Sequence, residues 1–372
     1  MRFSQRATAT LAALGLVALA ACGSSSEDVT SAGPTSDADS GAASAVTPVS
    51  DDVIAAAEEE GSVLMYSNAN PEIFAPIAKG FAKKYPNIKI KNLDLDDTQI
   101  VERYKSESAT GARTADVVMM NNQTVMSRFV ESGDVLDYED PNVANLPDFV
   151  KLAPGVVAVS QEPVVAVFNK SVLPEDEQPT SIAEFAEMAP ELKGKIGSVD
   201  IANAVGYYAT ASYLKSAGDE GWDNLEKIGA STGIENGAGN VVQKLLQGQY
   251  SASFFMVGSL RPLLAGDAAK VLNYRYLTDG TPLLPRAMGI TADAQNPNAA
   301  KVFLNYILSV EGQTEACKGG FSPYRGGVEC PYGLAAIEDL VGEENITIDG
   351  WDPSFIADQD EITQRWNEAF RR

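Results

Sequence analysis

Residues 61–85 read GSVLMYSNANPEIFAPIAKGFAKKY, a strand, a short polar loop and a helix in succession. Ser62 to Ser67 is a brief apolar run rich in strand formers, which suits a strand buried on both faces. Ser67, Asn68, Ala69 and Asn70 break the run, and Pro71 suits a first helical position, where its missing N–H costs nothing. Ile73, Ile77 and Phe81 recur at helical spacing while Lys79, Lys83 and Lys84 face elsewhere. Pro76 forbids one backbone bond and predicts a kink or a delayed helix start. In an open α/β sheet such a loop lies at a strand's carboxyl end, where ligands bind and the next helix offers free N–H donors. An ordinary strand-to-helix connection has the same pattern.

Outward from this unit the alternation repeats. Residues 87–95 predict a second strand, 98–106 a helix and 115–120 (ADVVMM) a third strand. Asn121, Asn122 and Gln123 follow at once as a second polar loop, leading into a helix over 124–132. Repeated strand-loop-helix units predict an α/β fold with a parallel, doubly wound sheet. Residues 156–169, VVAVSQEPVVAVFN, form a long β-rich run with a polar interruption, suited to a crossing between two lobes. The second lobe is expected to hold helices over 181–188, 204–217 and 239–247, and strands over 195–200, 252–257 and 269–276. Residues 283–291 (LLPRAMGIT) read as the return crossing, and 297–311 and 361–370 as closing helices of the first lobe. The predicted division is 51–160 with 285–372 for the N-terminal lobe and 161–284 for the C-terminal lobe.

Before the first strand the chain has a different character. Arg2 and Arg6, the apolar run 11–20 and the small residues ending in Cys22 make residues 1–22 a lipoprotein signal peptide, with Cys22 expected to become the lipidated N-terminus. Residues 23–50 are Ser, Gly, Ala, Thr and Asp with almost nothing large and apolar, so a flexible tether is expected. The protein is expected at the extracytoplasmic face of the cell membrane, anchored through that lipid. The formal net charge is −23, and it deepens to −25 once Arg2 and Arg6 leave, with 26 basic against 51 acidic residues. Such a surface repels nucleic acid and anionic headgroups, so no nucleic-acid partner is expected.

With Cys22 assigned to the lipid, Cys317 and Cys330 remain, and two thiols in an exported chain argue for a disulfide. Histidine is absent, which excludes Ser-His-Asp and Cys-His catalysis and His-ligated zinc or haem. Among the acids, Asp94, Asp96 and Asp97 cluster without the glycine or spacing of a calcium loop, and Asp96 with Gln99 reads as a helix cap.

The phrases EEEGSVLMYSNANPEIFAPIAKGFAKKYPNIKI, ADVVMMNN, SIAEFAEMAPELKGKIGSVD, VVQKLLQGQYSASFFM and NPNAAKVFLNYILSVEGQ, in this order over 53–372, resemble type II solute-binding proteins of ABC importers. Within these the chain is most similar to the ferric-iron-binding-like subgroup. The resemblance implies a two-lobed periplasmic-binding-protein type II fold. Each lobe would be a mainly parallel sheet flanked by helices, with two hinge crossings, and the lobes would close on a small ligand and dock on membrane permease subunits. The subgroup's iron ligands are not matched. The histidine position falls near Asn70, the carboxylate position on Asn121 and Asn122, and the paired tyrosines near Gly258 and Ser259. Neutral amides and a hydroxyl replace the hard anionic oxygens that iron(III) prefers.

The expected ligand residues are Ser67, Asn68, Asn70, Asn121, Asn122, Asn203, Gly206, Tyr207, Gly258, Ser259, Arg261 and Tyr274. The loops 67–70, 121–122, 203–206 and 237–240 each precede a predicted helix, and converging N–H groups favour an anion such as phosphate, phosphonate or carboxylate. Arg261, Arg275 and Arg286 are candidate forks for it. Tyr207, Tyr274 and Tyr276 leave open an aromatic box for a cationic or neutral solute. Tyr208, a helix neighbour about 100° away from Tyr207, is expected at the surface. The expected function is a monomeric, lipid-anchored solute-binding protein without cofactor or catalytic step. Ferric iron or an iron chelate, and a carboxylate-dependent secreted hydrolase or ligand sensor, are the alternatives.

Overall fold

A computed structural model describes residues 46–371 of the chain; the signal peptide, Cys22 and most of the expected tether lie outside these residues. The first lobe opens with helix α1 (Asp51–Glu60), then β1 (Ser62–Ser67), α2 (Pro71–Lys84), β2 (Lys89–Asp94), α3 (Asp97–Ala109), β3 (Val117–Met120) and α4 (Gln123–Glu131). Helix α2 begins at Pro71 and runs on through Pro76 as one element. After the short β4 (Lys151–Ala153) comes β5 (Val156–Asn169), with the bounds expected for the first crossing. The second lobe holds α5 (Ile182–Met188), β6 (Ile196–Val199), α6 (Ala204–Gly229), β7 (Thr232–Glu235), α7 (Ala238–Leu246), β8 (Ala252–Val257) and β9 (Leu272–Arg275). Helix α6 is broken at Gly218 (φ 58°), one residue past its expected end. Strand β10 (Thr281–Ile290) returns, and α8 (Pro297–Ile307), α9 (Val310–Lys318), α10 (Leu334–Val341), β11 (Ile346–Thr347), α11 (Pro353–Ala357) and α12 (Gln359–Ala369) follow.

The strands run in the order β2-β1-β3-β10-β5-β8-β6-β7. Pairing is parallel at β1–β2, β1–β3, β6–β7 and β6–β8, and antiparallel wherever β5 or β10 takes part in that path. The lower half of β5 pairs with β10 beside the first lobe's strands, and its upper half, from Val164 to Phe168, pairs with β8. One strand is therefore shared between two sheets, and with β10 it makes the pair of hinge crossings.

Strand alternation puts apolar residues on both sides of each sheet. In the first lobe Val63, Met65, Val117 and Met119 join one core with Ile77, Phe81 and Phe303. Tyr66, Val118 and Met120 join another with Tyr104 and Phe129. The second lobe is likewise covered twice, by Phe185, Tyr213 and Phe254 on one side and Val241, Leu245 and Met256 on the other.

Three expectations are corrected. Residues 46–50 are not free tether: Thr47 N–H donates to Asn142 at 3.0 Å, its carbonyl accepts from Asn305 at 2.9 Å, and Val49 is buried. The helix expected over 297–311 is two, α8 and α9, because Ser309 caps the second through the Gly312 N–H. Residues 361–370 do not close the first lobe. Trp366 and Phe370, stacked at 4.3 Å, pack into the second-lobe core with Leu225, Ile228 and Phe254.

Candidate functional site in the interlobe cleft

Because β1 and β3 are parallel neighbours, their polar loops open on the same sheet edge. There Asn68 donates to Asp97 Oδ1 at 2.7 Å and to Asn121 Oδ1 at 3.2 Å, while its own Oδ1 accepts from Arg286. The Asn122 N–H donates to Asp97 Oδ2 at 3.1 Å. Asp97, the first residue of α3, is thus the hub. Burial pushes its pKa up to about 6, against the opposing pull of Arg286 and the bonds from Asn122 and Asn68.

Beside this hub lies an open cleft of about 690 Å³ between the first-lobe loops and the start of α6, with Asn68, Asn121, Asn122 and Asn203 in its wall. The starts of α3, α4 and α6 meet there. Each is capped from within its own helix: Asp96 accepts from Gln99 N–H, Asn122 from Val125 N–H and Asn203 from Val205 N–H. Asp96, Asp97 and Glu102 also line this cleft, so carboxylates already face the helix starts that were expected to hold an anion.

The second lobe closes on the first through Tyr208. Its hydroxyl accepts from Thr124 N–H at 2.7 Å, lies 2.9 Å from Thr124 Oγ1 and donates to Asn122 Oδ1 at 3.2 Å. The surface position expected for Tyr208 is therefore wrong: it is 6% exposed and joins α6 to α4 across the lobes. Tyr207 is buried too and donates to the Phe355 carbonyl, away from the cleft floor. Gly206 lets α6 begin tight against β6, since a Cβ there would stand 2.4 Å from the Asp200 carbonyl oxygen.

Deeper, on and beside the hinge strands, charged groups are buried without complete pairing. Arg261, 8% exposed, donates Nη2 to Ser322 Oγ at 2.7 Å and to the Gly320 carbonyl at 3.1 Å, and its guanidinium stacks 4.0 Å from the Tyr332 ring centre. Its Nε and Nη1 make no hydrogen bond of good geometry, and the Tyr276 hydroxyl, which also makes none, lies within reach of the guanidinium. Gly258 permits this packing, because a Cβ there would meet Arg261 Nη1 at 2.3 Å and the Pro163 ring at 2.8 Å. Arg286, on β10, lies 4.8 Å from the Phe321 ring centre with Nε unpartnered. Burial lowers its pKa, against the charges of Glu162 and Asp97. Glu162, on β5 and wholly buried, accepts from Ser160 Oγ at 2.8 Å through Oε1 and leaves Oε2 unpartnered.

Of the expected ligand residues, Asn68, Asn121, Asn122 and Asn203 come together at the cleft and Arg261 at the hinge. Ser67 is buried and braces the loop through Asn92 at 2.8 Å. Asn70 is spent capping α2 and shares a separate depression of about 250 Å³ with Ser259. Tyr274 packs 5.9 Å from Tyr276. Arg275 donates to Gln178 and the Glu175 carbonyl and is no fork for a cleft anion. Glu162, Asp97, Tyr332 and Ser322 were missed. The polar Ser160-Gln161-Glu162 interruption within an otherwise apolar hinge run was the available signal for the first of them. Among the described residues no group of three or more His, Cys, Asp or Glu side chains is placed to hold a metal ion.

Two lobes, two shared hinge strands and polar groups gathered between them define a cleft-type binding protein. The chain belongs to the bacterial extracellular solute-binding proteins, whose family model matches residues 76–331. It is similar, at 26% identity over 230 residues, to the probable ABC transporter periplasmic-binding protein y4fP of Sinorhizobium fredii; the match spans 60% of this chain and 63% of that protein. The crystal structure of an ABC-transporter substrate-binding protein from Agrobacterium tumefaciens superposes with a TM-score of 0.72 at 21% identity, covering 83% of this chain and 94% of the other. Iron-bound HitA from Pseudomonas aeruginosa gives 0.65 at 18% identity, covering 83% and 99%. At these identities the structures establish a shared fold.

Proposed function

We propose that this chain captures a small solute carrying an anionic group between its lobes and delivers it to the permease of an ABC importer, without a catalytic step. The observation that carries the reading is Arg261, a buried guanidinium beside the hinge strands whose Nε and Nη1 make no hydrogen bond of good geometry. Buried polar groups are ordinarily satisfied, and a guanidinium fork matches carboxylate, phosphate and phosphonate. Closure would bury the solute, and the closed form would dock on the permease. The lipid on Cys22 would hold a monomeric chain at the extracytoplasmic face of the membrane.

The test is a thermal-shift series on the full chain with inorganic phosphate, phosphonates, carboxylates and sugar phosphates, alongside ferric iron with citrate. A ligand that binds only the folded state raises the midpoint by mass action. The expected result is a shift with an anion-bearing solute that Arg261→Met abolishes. A shift with ferric iron alone, unchanged in Arg261→Met, would replace this reading with iron capture.

A further inference from the structure

The second lobe grips the first at the opening turn of α4, and through more than Tyr208. Gln123 and Thr124, both buried, begin that helix. The N–H groups of a first helical turn have no acceptor within the helix. The Thr124 N–H finds its acceptor in the other lobe, at the Tyr208 hydroxyl 2.7 Å away. Gln123 Nε2 donates to the Asp352 carbonyl at 3.0 Å, in the segment between β11 and α11.

That segment is rooted in the second lobe. β11 pairs with the start of β10, Ile346 beside Thr281. Lys215 on α6 holds Asp349 at 2.7 Å and Asp352 at 2.6 Å, Ser212 donates to Asp349, and Tyr207 donates to the Phe355 carbonyl. Between these anchors the chain turns at Gly350 (φ 60°) and sends Trp351 against the first-lobe cluster that contains Met120 and Met126. The space left among Asn121, Gln123, Tyr208, Leu284, Trp351 and Phe355 is about 20 Å³, room for roughly one water. The indole is thus seated on the first lobe rather than roofing a solute chamber.

We propose that residues 349–352 are an interlobe latch: Trp351, held out by the Gly350 turn and anchored through Lys215, grips the first lobe beside α4 and favours the closed arrangement whatever solute the cleft takes. The proposal does not rest on anion capture by Arg261. A contact made only in the closed form raises that form's population, and with it the apparent affinity for every solute that binds it.

The test is amide hydrogen exchange, followed residue by residue by NMR on the full chain with no solute added. The Thr124 amide reports separation of the lobes, because its acceptor lies on the second lobe. Val125 is the control one residue on, since its acceptor, Asn122 Oδ1 at 3.1 Å, lies in its own lobe; the β3 amides report the first lobe's stability. Trp351→Ala should speed exchange at Thr124 on the order of tenfold while Val125 and β3 change by less than about twofold. Trp351→Phe, which keeps part of the apolar contact, should fall between. Gly350→Ala is an independent variant. Its Cβ would meet nothing within 4 Å, so its effect comes from straining the left-handed turn alone, and it should speed Thr124 in the same selective way. It decides the matter if Trp351→Ala does not fold. Unchanged exchange at Thr124 in both variants overturns the latch. Equal acceleration of Thr124, Val125 and β3 also overturns it, because the segment would then support the fold as a whole and not the contact between lobes.

Discussion

Asp97 is a buried carboxyl whose environment ties stability to pH. A carboxyl with a higher pKa in the folded chain than in the unfolded one, about 3.9, holds its proton more tightly when folded. Its favourable contribution is therefore present below that value and is lost as pH rises through about 6. Asp97→Asn should flatten the fall in thermal midpoint between pH 4 and 6.5; an unchanged slope would show that another group sets it. Tyr208 is the second test at this scale. Its hydroxyl serves Thr124 and Asn122 across the lobes, so Tyr208→Phe strands buried partners at a cost of about 1–3 kcal/mol. The closed form should lose population, seen as a larger radius of gyration in small-angle scattering without ligand. Sequence periodicity placed Tyr208 on a polar face with Ser212 and Lys215, and that face is covered by Thr124 from the first lobe and by Asp349 and Phe355 from the C-terminal part of the chain.

Among the elements, those with strong local patterns were legible: β1, α2, β3, β5, β8 and the first part of α6 stand within a few residues of where the periodicity puts them. What was not legible depends on partners distant in the chain. The helix near the C-terminus shows its apolar stripe in sequence, but nothing local says which lobe it covers. The same holds for the site. Loop asparagines could be read from strand-loop-helix order, whereas the charge influence of Glu162 on Arg286 requires β5 and β10 to lie side by side. The segment from Cys317 to Cys330 is another such element, since it carries Gly320, Phe321 and Ser322 to the two arginines. Opening that disulfide, whose partners are 13 residues apart in sequence, should cost about 3 kcal/mol in the chain-entropy model. Denaturant unfolding of Cys317→Ser with Cys330→Ser measures it, and Arg261-dependent binding should weaken together with stability.

At the scale of the whole molecule, β5 serves both sheets, so the lobes are joined by paired strand rather than by slack chain. Opening is then a bend or twist of two crossing strands. The second lobe should also depend on the end of the chain. Trp366→Ala removes a nearly unexposed side chain from that lobe's core and should cost about 3–5 kcal/mol, read from the urea midpoint. The first lobe's own core contains none of residues 355–370 and should show the smaller loss of amide protection in hydrogen exchange. The described residues thus begin docked on one lobe, through Thr47 and Val49, and end docked on the other, through Trp366 and Phe370. A fluorescent donor attached at residue 46 and an acceptor at residue 371 would ride on opposite jaws. Their energy-transfer efficiency would follow lobe closure directly, making the protein a ratiometric reporter of its own solute.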